Sequence, residues 1–235
     1  MRKRTRIAIT AVIGVLAVGA VASVVGPRLY RDFFSAPPAE VPTLMAKDDS
    51  VMASPRVPLT AESLSGTWSV VDGSEAGYRV DEVLNGVDVT VTGRGGGITG
   101  SLTMDGTELS AAQFTVDVAS IRTDNANRDA YFRDNALHAS EFPSAMFELS
   151  EPVALPGPPV AGDTVKQEVT GELTLAGVTR PVTFTVSART DGSTIEIAAQ
   201  IPITFADFGV HAPSLGFVKV EDSGFVELQL VLQRD

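Results

Sequence analysis

A chain of 235 residues is long enough for one domain with a substantial core and some appendages. It contains no cysteine, which excludes disulfides, thiolate catalysis, zinc–cysteine sites and a lipoprotein cysteine anchor, and its two histidines, His138 and His211, leave little material for metal or triad chemistry. The formal charge of −11 is uneven: of 18 basic residues, Arg2, Lys3, Arg4, Arg6, Arg28 and Arg31 precede the first acidic residue, Asp32, so the remainder sets 12 basic against 29 acidic side chains, and that balance of −17 excludes nucleic acid as an expected partner.

Ile7 to Val25 form a run of 19 residues without a charge, flanked by Arg2, Lys3, Arg4 and Arg6 and closed by Gly26, Pro27 and Arg28. As a helix the run spans roughly 28 Å, close to the ~30 Å hydrocarbon core of a bilayer. Its basic flank predicts a cytoplasmic N-terminus and an extracytoplasmic remainder. The competing reading is a cleaved signal peptide with Ala20 or Ala22 near the cut, leaving a secreted domain; the run exceeds the usual ~7–15-residue signal core, which favours a retained single-pass anchor. The chain thus divides into a basic flank and anchor over 1–31, a proline-rich linker over 32–65 carrying Pro37, Pro38, Pro42, Pro55 and Pro58, and a folded domain over 66–235. The linker composition predicts a tether with little fixed structure.

Within the domain, Trp68 to Val71 and Ala76 to Leu84 open the pattern, with Tyr78, Val80 and Glu82 on alternate positions. Val87, Val89 and Val91 alternate with Asp88, Thr90 and Thr92; Ile98 to Leu102 follow a glycine-rich bend; Phe114, Val116 and Val118 alternate with Thr115, Asp117 and Ala119. Asn125 to Ala139 break the β period and, after Asp124 as N-cap, predict a short helix crossing the sheet. The clearest signal is a hairpin: Val169, Gly171, Leu173 and Leu175 share one face of the first strand, and Val182, Phe184 and Val186 share one face of the second. Ala176, Gly177 and Val178 supply its turn, and Pro181 is expected early in its strand or on an edge. Ile195, Ile197, Ala199 and Ile201 form another set, and Val226, Leu228, Leu230 and Leu232 close the chain. About eight strands, each with one apolar face and short turns, predict an antiparallel sandwich or a closed barrel.

The order SIRTDNANRDAYFRDNAL (120–137), EFPSAMFEL (141–149), VTGELTLAGVTRPVTFTV (169–186) and DFGV (207–210) resembles the YceI-like family of periplasmic or secreted lipid-binding proteins, over approximately residues 67 to 233. The resemblance implies an all-β fold: an extended eight-stranded antiparallel barrel, lipocalin-like, with one short helix, preceded here by the N-terminal transmembrane helix. It also implies an apolar lumen that holds an isoprenoid or related long-chain lipid. Many members carry an arginine shortly before Asp-Phe-Gly, where this chain has Thr204, Phe205 and Ala206, so a head-group contact from that arginine is not expected.

Periodicity alone does not distinguish a barrel filled by its own side chains from one that admits a slender ligand. The resemblance implies the hollow case, with lumen candidates Val87, Val89, Phe114, Val116, Val118 and Phe132 in the first half of the domain. Phe147, Leu173, Phe184, Val186, Ile197 and Phe208 are the candidates in the second half. Arg128 and Asp129 either fix the helix across one barrel end or face a polar head group. Gly95, Gly97 and Gly100 satisfy G-x-G-x-x-G, but a strand follows them rather than a helix, so a turn or bulge is expected instead of a dinucleotide site. Residues 124–135 fail the calcium-loop pattern, no G-x-S-x-G elbow accompanies the histidines, and neither catalysis, a cofactor nor a metal is expected. The function implied is a membrane-anchored extracytoplasmic holder of an isoprenoid, quinone or similar lipid. The alternative is a non-catalytic envelope protein-interaction module with a filled barrel.

Overall fold

The computed structural model describes residues 37–44 and 58–235. The apolar run Ile7–Val25 and most of the linker lie outside the described residues; among those described, no helix is long and apolar enough to cross a membrane. The strands are β1 Gly66–Val70, β2 Glu75–Leu84, β3 Val87–Gly95, β4 Ile98–Asp105, β5 Glu108–Asp117, β6 Ser144–Leu149, β7 Val153–Ala154, β8 Thr164–Leu175, β9 Val178–Thr190, β10 Thr194–Thr204, β11 Ser214–Leu215 and β12 Val218–Arg234. A single turn of helix, α1, spans Ala61–Leu64, and a second helix, α2, spans Ala126–Tyr131.

Two pairs of these strands are single strands with a break. β1 and β2 both run antiparallel along β12, β1 against Leu232–Arg234 and β2 against Val218–Gln229, with Val71–Ser74 bulging between them. β3 and β4 follow the same course one strand over, β3 on β2 and β4 on β1, separated at Gly96 and Gly97. Counted this way, the sheet is an up-and-down ring of eight antiparallel strands, β1/β2, β3/β4, β5, β6, β8, β9, β10 and β12, closed where β12 meets β1 and β2. The expected eight-stranded antiparallel barrel with one short helix is the fold observed. The G-x-G-x-x-G stretch is the break between β3 and β4: a Cβ at Gly95 or Gly97 would collide with Ser120, so the glycines serve close chain packing and no helix follows them.

The sequence-predicted hairpin is β8 and β9, longer at both ends than its alternation suggests. Ala176 and Gly177 form the turn with φ of 47° and 75°, the left-handed pair that suits the twist of a two-residue hairpin loop, and Val178 already belongs to β9. Pro181 lies near the start of β9, a stretch that meets β8 on one edge only, since β10 joins β9 from Val186 onward. The predicted helix is shorter than expected and starts one residue later. Asn125, not Asp124, caps it by accepting from the N–H groups of Asn127 and Arg128, and Phe132–Ala136 continue as a wider π-type turn.

Because the strands alternate up and down, the barrel has two ends. At the lower end Trp68 is fully buried, donates from Nε1 to the Leu64 carbonyl at 2.9 Å, and lies 5.0 Å beneath the Arg234 guanidinium. Leu102, Ile195, Leu230 and Leu232 pack with it. Midway, Phe114, Phe147 and Leu173 are direct cross-strand partners, and Phe147 meets Phe184 edge-to-face at 5.4 Å. Gly171 makes room for that layer: a Cβ there would sit 2.5 Å from the Phe147 ring. Below this layer the interior is occupied by buried side chains.

The outer wall holds an unexpected feature. Glu227 points outward from β12, yet only 1% of it is exposed. It accepts from Arg79 Nε at 2.7 Å, from Gln200 Nε2 at 2.6 Å and from Arg94. Pro37–Leu44 lie over this cluster, held by Arg79 donating to the Ala39 carbonyl at 2.6 Å, Arg94 donating to the Glu40 carbonyl at 3.4 Å, and the Ala39 N–H donating to Thr92 Oγ1 at 2.8 Å. The expectation of a linker with little fixed structure therefore does not hold for this part of it. Two half-buried guanidiniums that reach past Glu227 have donors left to satisfy, and the linker backbone supplies acceptors.

Candidate functional site

Above the Phe114–Phe147–Leu173 layer the barrel is hollow. A cavity of about 550 Å³ fills the upper end, in the size range of small-molecule sites. Its wall begins one inward-facing layer up from the phenylalanines, at Val116, Ala145 and Leu175, so two residues along β6 change the interior from a phenyl ring to a methyl group. Ala76, Tyr78, Val80, Val91, Val226 and Ile203 continue the wall from β2, β3, β12 and β10. The chain after β5 lies across the opening: Phe132 stacks on Tyr78 with ring centroids 4.6 Å apart, and Tyr131 and Leu137 line the same space. The turn Phe205–Phe208 and the β11–β12 hairpin complete the mouth with Phe205, Phe208, His211 and Phe217.

One ionic cluster faces this apolar space. Glu82 sits on the inward face of β2 and is 6% exposed. Arg128 of α2 donates to Glu82 at 3.2 Å and to Asp124 at 2.7 Å, bridging the helix to the barrel wall. Asp129, also buried, accepts from the N–H and hydroxyl of Thr123 at 2.8 and 2.7 Å and so ties the start of the helix to the strand end. Burial pushes the Tyr78 hydroxyl well above the ordinary tyrosine value, with Arg128 opposing and the nearby carboxylates Asp129 and Glu82 adding to the rise. Tyr78 is thus a neutral phenol at any physiological pH, able to donate a hydrogen bond but unsuited to act as a base.

The lumen candidates fall into three groups. Val116, Val118, Phe132 and Phe208 line the cavity. Phe114, Phe147, Leu173 and Phe184 are buried in the filled part, with Val186 and Ile197 packed against it, so these six floor or support the cavity without lining it. Val87 and Val89 stand on the inward register of β3, opposite Leu84 and Glu82, but outside the cavity lining. Arg128 lines the mouth and ties the helix to the wall through Glu82, while Asp129 is buried against Thr123 and lies outside the cavity lining.

Sequence reasoning missed Glu82, Phe205 and Phe217 as lining residues. Glu82 had a readable signal, a carboxylate on the inward parity shared by Tyr78 and Val80; Phe205, two residues before Asp207, adds aromatic surface to the wall. His138 is exposed beyond the helix at a φ of 49°, and His211 lies in the loop before β11. Among the described residues no group of three metal-ligating side chains converges. A second, more open groove of about 620 Å³ lies beside the upper barrel where β9 and β10 splay apart, sharing Arg79, Val80, Ile203, Phe208 and Phe225 with the cavity.

Comparison with known proteins agrees with this architecture. A model of the YceI-like domain matches residues 68–232. A UPF0312 protein of Pseudomonas aeruginosa is 38% identical over 95 residues, covering 39% of this chain and 46% of that protein, and one from Pseudomonas putida is 31% identical over 123 residues, covering 48% and 60%. The chain spans about half the length of these curated relatives. Among solved structures, a polyisoprenoid binding domain from Saccharophagus degradans, implicated in plant cell wall breakdown, superposes with a TM-score of 0.57 at 17% identity, covering 73% of this chain and 99% of that one. Burkholderia cenocepacia BcnA superposes with a TM-score of 0.55 at 23% identity, covering 67% and 95%. At these identities the likeness is one of fold.

Proposed function

This chain belongs to the YceI-like domain family, and on that footing we propose that it binds, without catalysis, one isoprenoid, quinone or similar long-chain lipid with its apolar chain in the upper cavity. The observation that carries the reading is the abrupt change from the Phe114–Phe147 layer to the Val116–Ala145–Leu175 layer, which leaves a largely apolar space of about 550 Å³ under an ionic cluster. The solved polyisoprenoid binding domain of the same fold supports the class of ligand. The cavity is closed below, so the lipid enters chain first and its polar end stays near Arg128, Glu82 and Tyr78 at the mouth.

Each buried CH₂ is worth about 0.8 kcal/mol against water, but a lipid resident in a bilayer starts from an equally apolar place. Transfer into the cavity is then close to neutral, which suits reversible loading and release. We also propose the setting: Ile7–Val25 as a single membrane span, N-terminus cytoplasmic, with the barrel on the extracytoplasmic side. The length of the apolar run and its basic flank support this.

The test is native mass spectrometry of the full chain released from its membrane, with the adduct identified by fragmentation. One lipid of isoprenoid type per chain is the expected result. No adduct, together with no uptake when a medium-chain isoprenoid alcohol is titrated into the emptied protein, would overturn the reading.

A further inference from the structure

The docked arm Pro37–Leu44 has a direction. Ala39 is fixed beside Thr92 and Arg79, Glu40 reaches Arg94 further down β3, and Pro37 and Pro38 share a groove with the stretch of β3 from Val89 to Arg94. β3 itself runs from the mouth, at Val87, down to Gly95 at mid-barrel. The arm therefore runs along β3 from the mouth end toward the closed end, with Pro37 as its mouth-side end.

That direction constrains where a bilayer can lie. Between the apolar run ending at Val25 and the docked Pro37 stand residues 26–36, which lie outside the described residues and can span at most about 40 Å when fully drawn out, or about 18 Å as a relaxed chain. With strands rising ~3.3 Å per residue at a tilt near 40°, the mouth rim at Val87 is about 13 Å along the barrel axis from the arm's anchor at Thr92. The opposite rim, at Asp105 of β4, is about 33 Å away by the same geometry, so seating the closed end on the bilayer would demand an almost fully extended connection.

The mouth also carries the apolar surface that such contact needs. Phe217, at the tip of the β11–β12 hairpin, is 60% exposed and lines the cavity opening. The tip is braced, because the Asn85 N–H of the β2–β3 turn donates to the Phe217 carbonyl at 2.7 Å. An exposed phenylalanine held at a rigid rim over an apolar cavity gains by entering lipid and has little to gain in water.

We infer that the arm Pro37–Leu44 holds the barrel mouth-down on the outer surface of the membrane, with Phe217 in contact with lipid, so that the bilayer is the docking partner of this face. This rests on the membrane-anchored reading above and deepens it: the mouth faces the store from which the lipid is drawn. The strongly acidic body disfavours an anionic surface, so the partner is a largely zwitterionic one.

The natural absence of cysteine makes the test clean. In the full chain, S214C at the mouth and E108C at the closed end are each labelled with an environment-sensitive fluorophore, the protein is placed in phosphatidylcholine nanodiscs, and quenching by nitroxide-bearing lipids is compared. The expected result is severalfold stronger quenching at position 214 than at 108, reduced by at least half when F217S is added to S214C. Equal quenching at the two positions, or stronger quenching at 108, in a chain that does incorporate overturns the orientation while leaving the anchor in place. Unchanged quenching in the F217S background overturns the lipid contact of Phe217. A full chain that stays out of the nanodiscs overturns the anchor, and this inference falls with it.

Discussion

The two ends of this barrel are built from the same alternation and do different things with it. In the lower half, inward positions carry Trp68, Phe114, Phe147, Leu230 and Leu232, and the lumen is solid. In the upper half, inward positions on the same strands carry Ala76, Ala145 and Val116, and the lumen is empty. Stability and capacity are thereby separated along one axis. The lower half supplies the close packing that holds the ring together, and the upper half can afford unfilled space because that packing lies beneath it.

The sharpest way to probe this separation is to place the same charge in each half. Val186→Asp puts a short carboxylate, which cannot reach water as a lysine could, beside the filled core; a loss of at least about 4 kcal/mol is expected, read as a collapse of the urea midpoint. Val116→Asp faces the cavity and should fold, with its lipid adduct lost in native mass spectrometry. Equal destabilisation by both would erase the distinction between the two halves. Trp68→Ala, at a fully buried site, should cost about 3–5 kcal/mol in chemical denaturation while the folded protein keeps its ligand.

At the mouth the effects are smaller. Arg128→Ala leaves the buried Glu82 carboxylate without its partner and should cost about 2 kcal/mol, whereas the double substitution Arg128→Ala, Glu82→Gln should recover most of that loss. A double-mutant cycle on thermal midpoints checks it. Smallest of all is Asp191→Asn in the β9–β10 turn at the closed end. Hydrogen bonds from the Ser193 N–H and hydroxyl and the Thr194 N–H outweigh partial burial and hold this carboxyl below its usual value. A depressed native value means the contribution is present above the unfolded-state value and is lost as pH falls through the native one. Because Asp191 is exposed and screened, Asp191→Asn should cost roughly 0.5 kcal/mol at neutral pH and nothing in strong acid, as equilibrium unfolding at the two pH values would show.

The strand course was legible because alternation is local. Phe114, Val116 and Val118 announce one inward face whatever the rest of the chain does, and so do Val182, Phe184 and Val186. Depth along the axis is a different quantity. It depends on register between strands, so Phe184 and Val186 read like Val116 and Val118, and only pairing shows that the first pair lies against the filled half and the second against the cavity. The arm was illegible for a related reason. Proline-rich composition describes what a segment does alone, and Pro37–Leu44 are ordered by Arg79 and Arg94, which are remote in sequence. Glu227 shows the limit most plainly: its parity in β12 assigns it to solvent, and three distant partners and the arm take it out of solvent.

The length of β12 has a consequence for how this chain is made. Its 17 residues pair with β10 on one edge and with both β1 and β2 on the other. The strands that follow Gly66 can form hairpins in turn as they are synthesised, but the ring stays open, with the edges of β10 and β2 unpaired, until Val218–Arg234 arrive. Open edges are templates for wrong partners, and a closing step that joins the two ends of a domain is slow because its contacts are non-local. The hazard is therefore concentrated in the interval before β12 is delivered, and a chain cut short before Val218 would keep the edges of β10 and β2 open to wrong partners.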